Sequence, residues 1–179
     1  MVNDTRDYGD LRVTLTHNYT LDWNDRGSHG SRDVTFYTAN SEGNLSPLGS
    51  VGIGNYTGIE GRRATLLVGE NPNRSPGKDS PVARPLEYTQ VWNDKGSGSD
   101  HDGSLWRPVA PPGYIGMGDV SVGGYNPPDT ARVWCLRKDL TLLSSYRYDA
   151  PQSKFISSPI SFSHFCFEKF LNLSRQYGE

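Results

Sequence analysis

The feature that most constrains this chain is a phrase it uses twice. "WNDRGSHGSRDVTFY" begins at Trp23 and "WNDKGSGSDHDGSLWRP" begins at Trp92. Laying residues 19–69 on residues 88–138 requires no gap. Fourteen of the 51 aligned positions are identical, among them Tyr19/Tyr88, Trp23/Trp92, Asp25/Asp94, Gly49/Gly118, Tyr56/Tyr125 and Arg63/Arg132. Many others are conservative, such as Phe36/Leu105 and Tyr37/Trp106. Identities held at one fixed offset read as an internal duplication at a 69-residue spacing. An active site needs its residues once. A phrase written twice belongs to architecture, or to a binding surface in two copies.

Both copies read as strands and turns. "LRVTLTHNYTLDW" alternates apolar and polar residues, with Leu11, Val13 and Leu15 on one face. "SVGIGN" and "DVSVGG" are short strands closing on glycine, and "ARVWCLRKDLTLL" suits another strand. "APPGY", "NPPD" and "ENPNRSPGKDSP" are turn chemistry. Sustained helical periodicity is scarce up to residue 150, so the expected class is all-β. Duplicated short strands fit a closed or nearly closed architecture: prism, barrel, trefoil or sandwich. The segment 151–179 differs, holding Phe155, Phe162, Phe165, Phe167 and Phe170. It reads as a last strand and a short helical turn sealing the sheet. The alternative is an apolar flap against a membrane or a second copy of the chain, which would make a homo-oligomer.

The totals narrow the function classes. At 179 residues the chain fits a single domain, and its 20 aromatics argue for an ordered core despite a mean hydropathy of −0.64. A net charge of −2 disfavours nucleic acid, whose phosphates call for a basic surplus. Cys135 and Cys166 lie in no metal-type pair and are expected as reduced, buried thiols. The start, "MVNDTRDYGDL", has neither the basic nor the apolar part of a secretory leader. No apolar run reaches membrane-spanning length. The expected location is cytoplasmic or peripheral to a membrane.

Three constellations could carry chemistry. Asp94, Asp100 and Asp102 before Gly103 resemble part of an oxygen-rich Ca2+ loop, without the ladder or closing Glu of an EF-hand. The competing reading is a loop whose Asp and Asn side chains cap their own backbone amides. Trp23, Tyr37, Trp92 and Trp106 bracket the two loops at equal spacing. They form either core or an exposed platform for a sugar ring or lipid headgroup. Arg62, Arg63, Arg132, Arg137 and Lys138 are candidates for anionic headgroups. No nucleophile elbow, zinc-protease pair or phosphate loop is present. "GIGNYTG" at 52–58 is glycine-rich, but no helix pattern follows it. An enzyme is not expected, nor any cofactor beyond the candidate Ca2+.

The run "VWNDKGSGSDHDGSLWRPVAPPGYIGMGDVSV…VWCLRKDL" resembles the vacuolar protein sorting 62 family of plants and fungi. The elements that carry the likeness are Trp92, Asp94, Gly96-Ser97-Gly98, Asp102-Gly103, Trp106-Arg107-Pro108, Pro111-Pro112-Gly113-Tyr114, Gly118-Asp119-Val120 and Cys135 to Leu140. A weaker likeness covers residues 19–69. The resemblance implies a β-prism-like domain with a membrane-trafficking or membrane-binding role and no known enzymatic activity. Similar β-prism modules occur in multivesicular-body subunits and beside some pore-forming toxins. The first copy departs from the pattern, with "GSHGSRD" where the second has "GSGSDHD", so the second is the better candidate site. The residues expected at a ligand are Trp92, Asp94, Asp100, Asp102, Trp106 and Arg107. The expected function is a non-catalytic module for membranes or lipid headgroups. The alternative is a lectin-like or toxin-like protein whose Trp/Asp/Gly loops hold glycans.

Overall fold

A computed structural model describes residues 5–74 and 76–141. Over this span the chain is all-β, with short antiparallel strands and two 3₁₀ turns, Thr130–Arg132 and Lys138–Leu140. The strands form four separate three-stranded sheets. The first joins β1 (Arg6–Tyr8), β2 (Leu11–Thr16) and β6 (Thr65–Glu70) in the order β1-β2-β6. The second joins β3 (Tyr19–Asn24), β4 (Thr35–Ala39) and β5 (Val51–Ile53) in that order. In the third, β9 (Gly103–Val109) lies between β8 (Glu87–Asn93) and β11 (Val120–Gly123). The fourth is the smallest, with β12 (Cys135–Arg137) between β7 (Val82–Ala83) and β10 (Tyr114–Ile115). No described sheet closes on itself, so the described residues do not form one continuous barrel. Cys166 and the Phe-rich stretch 151–179 lie outside the described residues.

The stretch that reads as one alternating strand, "LRVTLTHNYTLDW", is two strands broken at His17-Asn18. There the Asn18 N–H donates to Thr16 Oγ1 at 3.2 Å. The alternation also changes sides part-way. Leu11 and Val13 are buried, but Leu15 is 41% exposed while Thr14 and Thr16 are buried. The register explains this. Val13 lies opposite Val68, and Thr14 lies opposite Leu67. Opposite residues share a face, and both Val68 and Leu67 are fully buried, in two different clusters. The first sheet therefore has core on both faces, and β2 passes from one cluster to the other along its length.

The strand expected in "ARVWCLRKDLTLL" is shorter, over its described residues, than its pattern suggests. Of these residues, Cys135–Arg137 is the stretch that pairs as a strand. The residues ahead of it turn because the Asp129 carboxylate accepts from the Ala131 N–H at 2.7 Å, a local bond that competes with strand pairing. Cys135 is a free, buried thiol, and burial pushes it up to about 11.

The second and third sheets meet through aromatics. Trp23 packs on Phe36 and on Trp92, with ring centres 6.3 and 5.3 Å away. Its indole N–H donates to the His101 carbonyl at 2.6 Å, across 78 residues of chain. A β-carbon at Gly103 would lie 2.3 Å from the Trp23 ring. Gly49 and Gly118, aligned in the repeat, meet backbone to backbone; a β-carbon on Gly49 would lie 2.9 Å from the Gly118 Cα.

Trp23→Ala would empty the centre of this junction and strand the His101 carbonyl. The expected loss in urea unfolding is about 3–5 kcal/mol. Leu86→Ala, at a side chain 63% exposed, is expected to change stability by no more than about 0.5 kcal/mol.

Candidate functional site

The repeated phrase forms two loops of one design. In the first, an Asp25 carboxylate oxygen accepts from the Val34 N–H at 2.9 Å and from the Tyr56 hydroxyl at 2.8 Å. In the second, Asp94 accepts from the Gly103 N–H at 2.9 Å and from the Tyr125 hydroxyl at 2.9 Å. The backbone of each Asp bonds the same partner in return. Arg26 lies over the Tyr56 ring at 4.6 Å, and Lys95 over Tyr125 at 4.7 Å. Each strand entering a loop is irregular at the same place, between Leu21 and Trp23 and between Gln90 and Trp92. Every pair here is 69 residues apart.

The two loops differ in how they sit. The second folds onto the first: the Asp100 N–H donates to the Arg26 carbonyl at 2.7 Å, and the Ser99 hydroxyl to the Asn24 carbonyl at 3.3 Å. Tyr125 also donates to Asp102 at 2.9 Å, so one phenol serves two carboxylates. Burial, then these carboxylates, pushes the Tyr125 phenol far above its ordinary range, and Tyr56 follows the same pattern with Asp25.

The structure places the loop candidates as follows. Asp94 is buried and occupied as a cap. Asp100 and Asp102 are exposed. Trp92 is half-buried against Trp23. Trp106 is 8% exposed, with its N–H donating to Ser104 Oγ at 2.8 Å, so it offers no open face for stacking. Arg107 is exposed and forked onto Asp119, at 3.0 and 3.1 Å. Among the described residues, no three His, Cys, Asp or Glu side chains gather as a metal-holding group.

The basic candidates divide sharply. Arg137 is taken up internally by Asp10 at 2.6 Å and Asp139 at 2.7 Å, which raise its pKa further. Arg132 pairs with Asp22, whose carboxylate is 1% exposed. Burial pushes Asp22 up to about 6, against the opposing pull of Arg132 and the Thr38 and Ser50 hydroxyls. Lys138 is exposed and stands apart from the described ion pairs. Arg62 and Arg63 are exposed side by side and line a pocket of about 250 Å³ with Asn55, Thr57 and Gly58. Within it Arg62 donates to Thr57 Oγ1 at 3.1 Å. Asn55 and Thr57 belong to "GIGNYTG", a run whose composition points to no ligand by itself. The signal lies in the arginine pair that follows it and lines the same pocket.

Residues 3–157 match the family described as vacuolar protein sorting-associated protein 62. The chain belongs to that family. Its fold is similar to part of the crystal structure of GNIP1Aa from Chromobacterium piscinae, with a TM-score of 0.57 and 23% identity. That likeness covers 72% of this chain and 24% of GNIP1Aa. No curated protein matches in sequence. Trp92 and Asp94, within the matched range, form the aromatic junction and the loop cap described above. The "PPGY" turn places Tyr114, whose hydroxyl donates to the Ser80 carbonyl at 2.7 Å.

Asp94→Ala would leave the Gly103 N–H and the Tyr125 hydroxyl without their acceptor. The expected cost is about 1–3 kcal/mol in chemical unfolding. Because Oδ1 of Asp94 and Oδ1 of Asp102 already serve protein donors, and no three acidic side chains gather among the described residues, removing calcium with a chelator is expected to leave the melting temperature unchanged. Asp22 gives a pH signature. Folding raises its pKa from 3.8 to about 6, so the folded chain holds this proton more tightly. Its contribution is full below the unfolded value and is lost as pH rises through about 6. Wild-type stability should therefore fall by about 2 kcal/mol more than that of Asp22→Asn between about pH 4 and 7.

Proposed function

We propose that the chain is a non-catalytic, β-prism-like module that binds membranes through anionic lipid headgroups. The observation that carries this reading is the Arg62/Arg63 pocket. Two guanidinium groups lie exposed beside an amide and a hydroxyl, and among the described residues neither is in an ion pair. Arginine suits phosphate because its planar fork can donate two parallel bonds to one group. Membership of the vacuolar protein sorting-associated protein 62 family supports the same reading. Lys138 adds a further exposed cation elsewhere on the surface.

The prism-like form and its origin by duplication are part of the proposal. Their support is the bond-for-bond recurrence of the Asp25 and Asp94 loops at one spacing. The aligned position of Arg63 is Arg132, which is turned onto Asp22 instead of outward. The two copies would therefore share scaffold and not ligand. The glycan-binding alternative draws on the exposed Asp100 and Asp102 and the half-buried Trp92. It has lost Trp106 and Asp94 to the interior.

Co-sedimentation with neutral phosphatidylcholine vesicles and with vesicles containing acidic lipid tests the reading. The chain is expected to pellet with acidic vesicles only, and less as salt is raised. At about 1 kcal/mol for each cation near the surface, Arg62→Gln with Arg63→Gln should weaken that binding about thirty-fold. Equal pelleting on both vesicles, or none, would contradict it. Glycan binding lost in Trp92→Ala would then favour the lectin-like alternative.

A further inference from the structure

A second pocket, of about 240 Å³, opens beside β3, β4 and the Thr130–Arg132 turn, and its lining is Thr20, Thr38, Ala39, Asn40, Ser41 and Arg132. Arg132 is the cation in that wall. One end of its guanidinium donates to Asp22, while its Nε–H is buried and meets no acceptor. Buried N–H groups without an acceptor are rare, and one on a charged group is costly. The neighbouring polar groups are already arranged: the Thr20 hydroxyl donates to Asn40 at 2.7 Å, and the Ser41 hydroxyl to Ser46 at 3.0 Å. An oxygen ligand in this pocket would lie against the 30% exposed Arg132 side chain, whose unmet Nε–H is covered from solvent, and against hydroxyls that now donate within the protein and would have to turn toward it.

We propose that this pocket takes a small oxyanion of the phosphate or sulfate class on Arg132, and that Asp22 gates it. With Asp22 ionised, the carboxylate is the internal counter-ion of Arg132 and opposes a second anion. With Asp22 protonated, Arg132 keeps its charge and becomes free to pair with the ligand. Burial places that proton change near pH 6.

The groups around Asp22 leave it as the switching element. Thr38 on β4 donates to it at 2.6 Å, and Ser50 ahead of β5 at 3.4 Å. From β11, the Ser121 N–H donates to Ser50 and not to the carboxylate. On the turn, Asp129 caps Ala131, and Arg84 is held by the Ala131 and Val133 carbonyls and the Trp134 ring. The Tyr88 phenol, pushed up to about 12 by burial, stays neutral. Arg107 and Asp119 neutralise each other. Arg132 is the charged group that acts on Asp22. The site is separate from the Arg62/Arg63 pocket and does not depend on it.

Sulfate is the probe, because its charge is constant over the range. It is titrated into the full chain at fixed ionic strength, and NMR reads the amides of residues 38–41 and the Arg132 Nε–H. Saturable shifts are expected at about pH 5, with affinity about thirty-fold weaker at about pH 7.5 if only the Asp22-protonated form binds. Asp22→Asn should bind at the higher pH as tightly as wild type does at the lower, and Arg132→Gln should lose the saturable shift. Equal affinity at both pH values, shifts that never saturate, or an Asp22→Asn variant no tighter than wild type at the higher pH would overturn the proposal. The variant carrying Arg62→Gln and Arg63→Gln should keep these shifts even where it fails to pellet with vesicles. If that variant still pellets with acidic vesicles at the lower pH only, the oxyanion is lipid-borne. If sulfate alone binds, it is a free ion.

Discussion

Trp23 lies so close to Gly103 that no β-carbon could stand between them, and much of the fold depends on that contact. The ring bridges two sheets, stacks on Phe36, meets Trp92 edge-on and holds the His101 carbonyl. The last two interactions draw the second loop onto the first. Asp94 then reaches the Gly103 amide, and the loop closes around a buried carboxylate. A large indole against a bare backbone supplies apolar area where glycine-rich loops have few side chains of their own. The repeated tryptophan–asparagine–aspartate phrase is therefore architecture first. Its tryptophans join the copies, and its aspartates close the turns.

Much of this was legible in the sequence because it depends on local chemistry. The all-β class followed from short alternating runs and turn residues. The 69-residue spacing correctly marked residues that make equivalent bonds, such as Asp25 and Asp94 or Tyr56 and Tyr125. Long-range geometry was not legible. Leu15 looked like core beside Leu11 and Val13, but the β2–β6 register hands burial over to Thr14 and Thr16. Trp106 looked able to stack on a ligand until β11 and Tyr88 enclosed it. The run from Ala131 looked like a longer strand because pattern alone shows neither the Asp129 cap ahead of it nor the Lys138–Leu140 turn that ends it.

The basic residues carry the same lesson into function. In sequence Arg62, Arg63, Arg132 and Arg137 looked alike. Folding sorts them by partner: Arg137 joins Asp10 and Asp139, and Arg132 joins Asp22. Asp22 has Val91 as its counterpart in the second copy, so the repeat gave no hint of its role. A paired, partly buried guanidinium contributes little to a surface field, whereas an exposed one contributes fully. The surface available to an anionic partner is therefore smaller and more local than the count of arginines suggests.

The two loops and the sheets they join should form one cooperative unit. Native-state hydrogen exchange at the Val34 and Gly103 amides, the two that donate to Asp25 and Asp94, tests this most directly. Both amides are expected to open only with the whole domain, with the same free energy and the same denaturant dependence. If the Gly103 amide exchanged through a smaller opening while Val34 stayed protected, the second loop would be a separate flap. The Trp23 contact would then be no foundation for the fold.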